Sequence, residues 1–251
     1  MQMIDELFGN IEKEELKQLW PGYIYDEGRI SKLVSTNIRH ANIALNSILD
    51  IEERQFLEKL FFDPTGWYRQ INGNGMTRLK LAAMSLGLTN NIFTLDSESE
   101  RKMLEMVVSY TKEEQLLAIR CYMKQKAVTY LTLEKYLKNI KKQDDMTIEL
   151  YRGIRGTYDG QNYSHTGLEC WTTSIDIANK FTRGQGYIVK KTYPITQIFA
   201  GNRSTFKNRP HNIYRNNGFY VRREHEMIVE NIAEQYDCKN NIYIGVDGDI
   251  C

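Results

Sequence analysis

Apolar residues recur at steps of three and four along the first 144 residues, which is the spacing of one face of an α-helix. The first such face combines Ile30, Leu33, Val34, Ile38, Ala41, Leu45, Ile48 and Leu49. A second run covers residues 51–62 and meets a turn signal at Asp63-Pro64-Thr65-Gly66. The sequence therefore predicts an α-helical N-terminal domain over residues 1–144.

Capping patterns mark further helices in this half. Ser97 with Glu100 and Thr111 with Glu114 have the capping-box spacing, which predicts helices running to about Tyr110 and Val128. Thr132 is interpreted as the start of one more helix. That helix is expected to end near the charged run at 141–145, where we place the domain boundary.

The pattern changes to that of β-strands after Met146. Polar and apolar residues alternate over 147–151, and β-branched and aromatic residues cluster in three later segments. The expected strands cover 147–151, 187–193, 227–231 and 240–246, and a short helix is expected at 175–181. The predicted fold class is α+β, with the helical domain followed by a mainly-β domain over residues 145–251.

Composition excludes several classes of protein. The net charge of +1 does not favour nucleic acid or membrane as a partner of the whole chain. The four cysteines form no C-x-x-C pair and have no histidine at metal-ligand spacing, so no metal site is expected. No secretory signal or membrane span is visible in the sequence, which predicts a cytoplasmic location and no membrane partner.

Three short motifs carry candidate chemistry in the β-rich half. They are Tyr151-Arg152-Gly153, then Trp171-Thr172-Thr173-Ser174 with Ala178 and Phe181 following, and finally Arg223-Glu224-His225-Glu226. Each motif alone is common at the end of a strand or on a solvent-exposed strand face. Only their combination, in this order, indicates a function.

Together the motifs resemble the Arg, Ser-Thr-Ser, Glu-x-Glu set of the cholera-toxin-like mono-ADP-ribosyltransferases, nearest to the clostridial binary-toxin and C3-like exoenzymes. The resemblance covers about residues 146–251 and implies a catalytic domain of two packed sheets that consumes NAD⁺ as co-substrate. The sequence departs from the family pattern in two respects. Thr172 replaces the first serine but keeps the hydroxyl, and only twenty residues separate Arg152 from Thr172.

The resemblance also implies roles for individual residues. Glu226 would stabilise the oxocarbenium ion that forms when nicotinamide leaves, and Glu224 would orient or deprotonate the acceptor. Arg152 would bind the pyrophosphate bidentately, which suits a planar guanidinium. Gly153 would let the backbone approach the nicotinamide. The predicted NAD⁺-binding residues are Arg152, Gly153, Thr172, Thr173, Ser174, Phe181 and Arg183, with a core position as the alternative for Phe181.

The acceptor stays open between a protein arginine, a nucleic-acid base and another protein side chain. The Glu-x-Glu pattern favours transfer to a protein arginine. Residues 177–223, however, contain ten lysines or arginines and no aspartate or glutamate, and a cationic surface repels a guanidinium. Over 203–223 these cations alternate with aromatic residues, which suits a nucleic-acid base, DNA or RNA. The predicted acceptor contacts are Arg215, Phe219 and Tyr220.

The rival hypotheses differ in what the protein does with NAD⁺. One is a NAD glycohydrolase with water as acceptor, and another is an inactive relative that binds a partner through its helical half. As an enzyme, the protein is expected to be a toxin or effector acting in the cytosol. An antitoxin or immunity protein is then a further candidate partner.

Overall fold

The computed structural model describes residues 2–36, 41–62, 111–156, 168–201, 226–230 and 242–245. Seven α-helices lie in these ranges: α1 Gln2–Phe8, α2 Lys13–Leu19, α3 Tyr23–Leu33, α4 Ala41–Ile48, α5 Ile51–Phe62, α6 Lys112–Tyr136 and α7 Ile175–Thr182. Six strands lie in the same ranges: β1 Thr147–Arg155, β2 Leu168–Thr172, β3 Gly186–Pro194, β4 Ile198–Gly201, β5 Glu226–Glu230 and β6 Ile242–Gly245. The α+β class predicted from the sequence is confirmed.

Helix α6 lies at the centre of the part of the chain that the structure describes. Every residue from Cys121 to Leu133 is buried, because helices α1–α5 cover one side of α6 and strand β4 packs on another. The Tyr122 ring stacks on the Phe199 ring of β4 with centroids 4.7 Å apart. One apolar core therefore runs from Met3 in α1 to Val229 in β5. The boundary between residues 144 and 145 stays a prediction.

Helix α6 begins where the sequence predicted, but it is longer than predicted. The Thr111 side chain accepts from the Glu114 backbone N–H at 3.2 Å and the Glu114 carboxylate accepts from the Thr111 backbone N–H at 3.2 Å, which confirms this capping box. The expected end at Val128 and new start at Thr132 are wrong. The buried Thr132 hydroxyl donates to the Val128 carbonyl at 2.7 Å, so it is satisfied inside a continuous helix. A π-helical turn, Leu137–Lys141, follows α6.

The apolar face predicted between Ile30 and Leu49 belongs to two helices. Helix α3 ends at Leu33, and Val34 has an extended backbone with ψ of 141°. Leu33 is exposed, while Ile30, Val34 and Leu45 are buried. The break lets both helices pack on α6. The prediction over 51–62 is confirmed, whereas Ile38, the 63–66 turn and the Ser97 box lie outside the described residues.

The six strands form one antiparallel sheet with the order β4-β5-β2-β1-β3-β6. Strand β1 pairs with β3 along its whole length, from Thr147↔Pro194 to Arg155↔Gly186. Its register with β2 in the described residues is the single pair Tyr151↔Thr172. The sheet thus consists of two three-stranded halves that meet at this pair. Two packed sheets, as predicted, are not confirmed.

Within the part of the chain that the structure describes, no helix combines the length and apolar character that crossing a membrane requires.

Candidate active site

Strand register brings the three sequence motifs to one level of the sheet. The Cα partner of Tyr151 is Thr172, and the Cα partner of Thr172 is Glu226. On the other side, Tyr151 pairs with Lys190 of β3. We call the strand positions Glu226, Thr172, Tyr151 and Lys190 the outer row. Since neighbouring strands lie about 4.8 Å apart, the backbones of Tyr151 and Glu226 are about 10 Å apart.

Arg152 lies at the junction of the two sheet halves. Its Nη1 donates to the Cys170 carbonyl at 3.1 Å and lies 3.7 Å from Oε2 of Glu169. Successive side chains of a strand project to opposite faces, so Arg152 and its neighbour Tyr151 point to different sides of β1. The Arg152 guanidinium therefore contacts β2 on the face of the sheet that carries Glu169, opposite to Tyr151.

Glu169 is a site residue that the sequence reasoning missed. It is buried, and its Oε2 accepts a hydrogen bond from Nε1 of Trp171 at 3.4 Å. A buried carboxylate needs a cation or hydrogen-bond donors, and here Arg152 and Trp171 supply both. The signal in the sequence was a glutamate inside the short strand Leu168–Thr172, two residues before a tryptophan.

Gly153 lies where helix α7 crosses β1. A Cβ atom at this position would be 2.0 Å from the Ala178 carbonyl oxygen and 3.0 Å from Cβ of Phe181. Because the first contact is with backbone, no side chain fits without moving the helix. Close packing of α7 thus explains the glycine. A contact with nicotinamide stays a prediction.

The hydroxyl motif connects β2 to α7. Thr172 is buried, and its Oγ1 accepts from the Ser174 backbone N–H at 3.2 Å. The Ser174 carbonyl accepts from the Ala178 N–H at 3.0 Å and begins α7, while the Ser174 hydroxyl makes no capping bond. Thr173 is exposed. The motif therefore combines the buried Thr172 hydroxyl on the outer row with the hydroxyls of Thr173 and Ser174 in the turn between β2 and α7.

Phe181 and Arg183 lie at the C-terminal end of α7. Phe181 is 47% exposed, which does not support a core position for this ring. Arg183 caps the helix in the left-handed conformation with φ of 55° and is exposed. Both side chains are accessible on the α7 side of the sheet, the side to which Gly153 belongs.

A charged cluster formed by Tyr151 and Lys190 of the outer row with Glu149 was also missed by the sequence reasoning. The Tyr151 hydroxyl donates to Glu149, whose other oxygen lies 2.6 Å from Nζ of Lys190. Nζ of Lys190 is 6.0 Å from the centroid of the Tyr151 ring. The hydrogen bond from Lys190 lowers the pKa of Glu149, and the same carboxylate raises the pKa values of Tyr151 and Lys190. The cluster therefore keeps a cation beside the aromatic ring at neutral pH.

The remaining predicted residues lie outside the described ranges. These are Glu224 and the acceptor contacts Arg215, Phe219 and Tyr220, and Glu226 is described by its backbone position. The described residues contain no group of histidine, cysteine, aspartate or glutamate side chains that could hold a metal ion.

Comparison of the chain with protein-family models, curated proteins and solved structures finds no match.

Proposed function

We propose that the protein is a NAD⁺-dependent mono-ADP-ribosyltransferase, a toxin or effector that acts in the cytosol. The observation that carries the proposal is the pairing Tyr151–Thr172–Glu226, because residues far apart in sequence become neighbours on three adjacent strands. The arginine, hydroxyl and glutamate motifs are then carried by neighbouring strands, which supports a single site built from all three. We further infer that the sheet halves joined at Tyr151 correspond to the two sheets of such a domain.

The proposed reaction breaks one bond and forms another at the same carbon. The bond between nicotinamide nitrogen and ribose C1′ breaks, and nicotinamide leaves as a neutral molecule with the bonding electron pair. Positive charge then develops on the ribose, as in glycoside cleavage, and the Glu226 carboxylate stabilises it. The acceptor atom attacks C1′, and its proton passes to Glu224.

Arg152 would bind the pyrophosphate from the junction between β1 and β2. A guanidinium carries five N–H donors in a rigid fork. The bond from Nη1 to the Cys170 carbonyl and the nearby Glu169 carboxylate fix the orientation of this fork. The oriented fork matches two phosphate oxygens at once, which is the arrangement of a strong charge-assisted contact.

Two acceptor classes have a specific observation in their favour. The Glu224-x-Glu226 pattern favours a protein arginine. The segment 177–223 contains ten lysines or arginines and no acidic residue. This charge favours a nucleic-acid base, because a cationic segment attracts phosphates and repels an arginine. We place protein arginine slightly ahead, and the experiment below separates the two.

The test uses the purified full-length chain with NAD⁺ labelled in the adenylate part, in the presence of crude cell extract. We expect label in macromolecules, and treatment with protease or nuclease assigns it to protein or nucleic acid. Release of free ADP-ribose alone would establish the glycohydrolase alternative. An unchanged NAD⁺ pool would overturn the proposal and leave the inactive binding module.

A further inference from the structure

The outer row holds a cation to which the sequence motifs assign no role. Nζ of Lys190 lies over the Tyr151 ring and contacts Glu149, and both charged side chains are partly exposed. Tyr151 and Thr172 are direct Cα partners, so Lys190, Tyr151 and Thr172 project from the same face of the sheet. Arg152, in contrast, projects from the other face and is drawn toward Glu169.

The geometry points to Lys190 as a pyrophosphate-binding residue, with Tyr151 as the aromatic floor between this lysine and the reacting ribose. This inference rests on the proposed function. It adds a second phosphate contact, from the face of the sheet that carries Tyr151 and Thr172, to the contact proposed for Arg152 at the junction of β1 and β2.

Distance along the row supports the assignment. Three strand spacings separate the backbones of Lys190 and Glu226, or about 14 Å. The pyrophosphate of NAD⁺ must lie a full ribose unit away from the carbon that reacts at Glu226. The Lys190 ammonium, which contacts Glu149 in this structure, would turn back along the row on its flexible four-carbon stem to reach that position.

Chemistry supports it as well. Lysine binds phosphate as a point charge and needs no fixed approach angle. The Tyr151 ring presents an apolar face to the ribose or the nicotinamide, and its hydroxyl is already held by Glu149. Glu149 would thus act as a counter-ion that holds Lys190 and competes with phosphate for it.

This competition predicts opposite effects for two neighbouring substitutions. We expect Lys190→Gln to raise the KM for NAD⁺ roughly tenfold with a smaller change in kcat, because one charge-assisted contact is lost. We expect Glu149→Gln to lower the KM, because a carboxylate that competes with phosphate is removed. In the double variant the benefit of Glu149→Gln should shrink, because the released cation is absent.

The experiment measures steady-state NAD⁺ cleavage with two product inhibitors, ADP-ribose and nicotinamide. Lys190→Gln should weaken inhibition by ADP-ribose, which carries the pyrophosphate, and leave inhibition by nicotinamide unchanged. A merely structural defect would weaken both. The matched control is Lys191→Gln, since Lys191 lies next along β3 and packs over the Tyr193 ring, and we expect it to leave both inhibition constants unchanged.

The outcomes separate the two proposals. Wild-type cleavage of NAD⁺ with unchanged ADP-ribose inhibition in Lys190→Gln would overturn the assignment of Lys190 and leave the proposed function standing. Equal loss of ADP-ribose affinity in Lys190→Gln and Lys191→Gln would also overturn it, since the loss of any positive charge from β3 would then explain the effect. A wild-type protein that neither cleaves NAD⁺ nor binds ADP-ribose by calorimetry would overturn both.

Discussion

Helix α6 and the outer row hold charged side chains in opposite ways. On α6, Lys124 donates to both oxygens of Glu53 at 2.7 and 2.9 Å and to the Ile48 carbonyl at 3.1 Å, with all three groups buried. Lys190 of the outer row, in contrast, contacts the nearby Glu149 at 2.6 Å, and both side chains remain partly exposed.

The difference separates structural charges from available ones. A buried ion cannot exchange its partner for water or ligand, so it must be satisfied within the fold. An exposed pair gives up little when one partner turns to a ligand. The Lys124 contacts therefore brace α6 against α4 and α5, and charges on the outer row are candidates for binding.

The largest expected effect tests the buried side of this comparison. Lys124→Met leaves the buried Glu53 carboxylate without its cation, and we expect it to lower the free energy of unfolding by about 3–5 kcal/mol. The matched control is Lys138→Met, which removes an exposed pair with Glu134 just beyond α6 and should cost less than about 1 kcal/mol. Urea denaturation measures both. Similar losses in the two variants would erase the distinction.

The second expected effect tests the outer row without disturbing the core. Glu226→Gln should reduce NAD⁺ cleavage at least a hundredfold, or by about 3 kcal/mol in the activation barrier, because the oxocarbenium ion loses its counter-charge. Thermal unfolding and steady-state kinetics on the same preparation provide the measurement. Near-normal cleavage by the folded variant would remove Glu226 from the chemistry.

The third expected effect is a pH dependence of stability. Glu230 of β5 contacts Lys126 of α6 at 2.5 Å, and burial raises the pKa of Glu230 well above its ordinary 4.5 and lowers the pKa of Lys126 to about 7. Above pH 4.5 the folded protein then binds more protons at Glu230 than the unfolded chain does, so this group lowers stability as the pH rises. Between pH 7 and 10.5 Lys126 contributes the opposite slope.

As the pH rises above 4.5, therefore, Glu230→Gln should remove a decline in the free energy of unfolding, which for one titrating group is at most about 1.4 kcal/mol per pH unit. Glu149 gives a control of opposite sign, because its pKa is lowered and its contribution is present above pH 4.5 and lost on acidification. Urea titrations at several pH values measure the slopes. Parallel curves for wild type and Glu230→Gln would contradict the prediction.

The smallest expected effect concerns Glu169, which shares a property with each region. It is buried, like the charges around α6, and it contacts Arg152 of the candidate site. Glu169→Gln keeps the side-chain volume but removes the charge that orients the guanidinium. We expect the KM for NAD⁺ to rise by up to about tenfold while kcat changes less. Arg152→Lys, which lacks the forked donor, should give a similar KM. A larger fall in kcat than in affinity would assign Glu169 to the chemical step.

Short-range patterns in the sequence determined the elements. The Thr111 capping box, the helix over Ile51–Phe62 and the strands at β1 and β3 follow from interactions between residues a few positions apart. The motif residues of the candidate site were found in the same way, from residue types at fixed local spacing.

Long-range packing decided the rest. Burial on all sides keeps α6 continuous past Thr132, and packing on α6 splits the Ile30–Leu49 face into two helices. Only strand pairing makes Thr172 the neighbour of both Tyr151 and Glu226, and only it brings Lys190 beside Tyr151. The cationic partners of Glu169 and Glu149, which are Arg152 and Lys190, followed from the same pairing. Local spacing cannot specify which strands lie side by side, because that choice depends on how the whole chain buries its apolar surface.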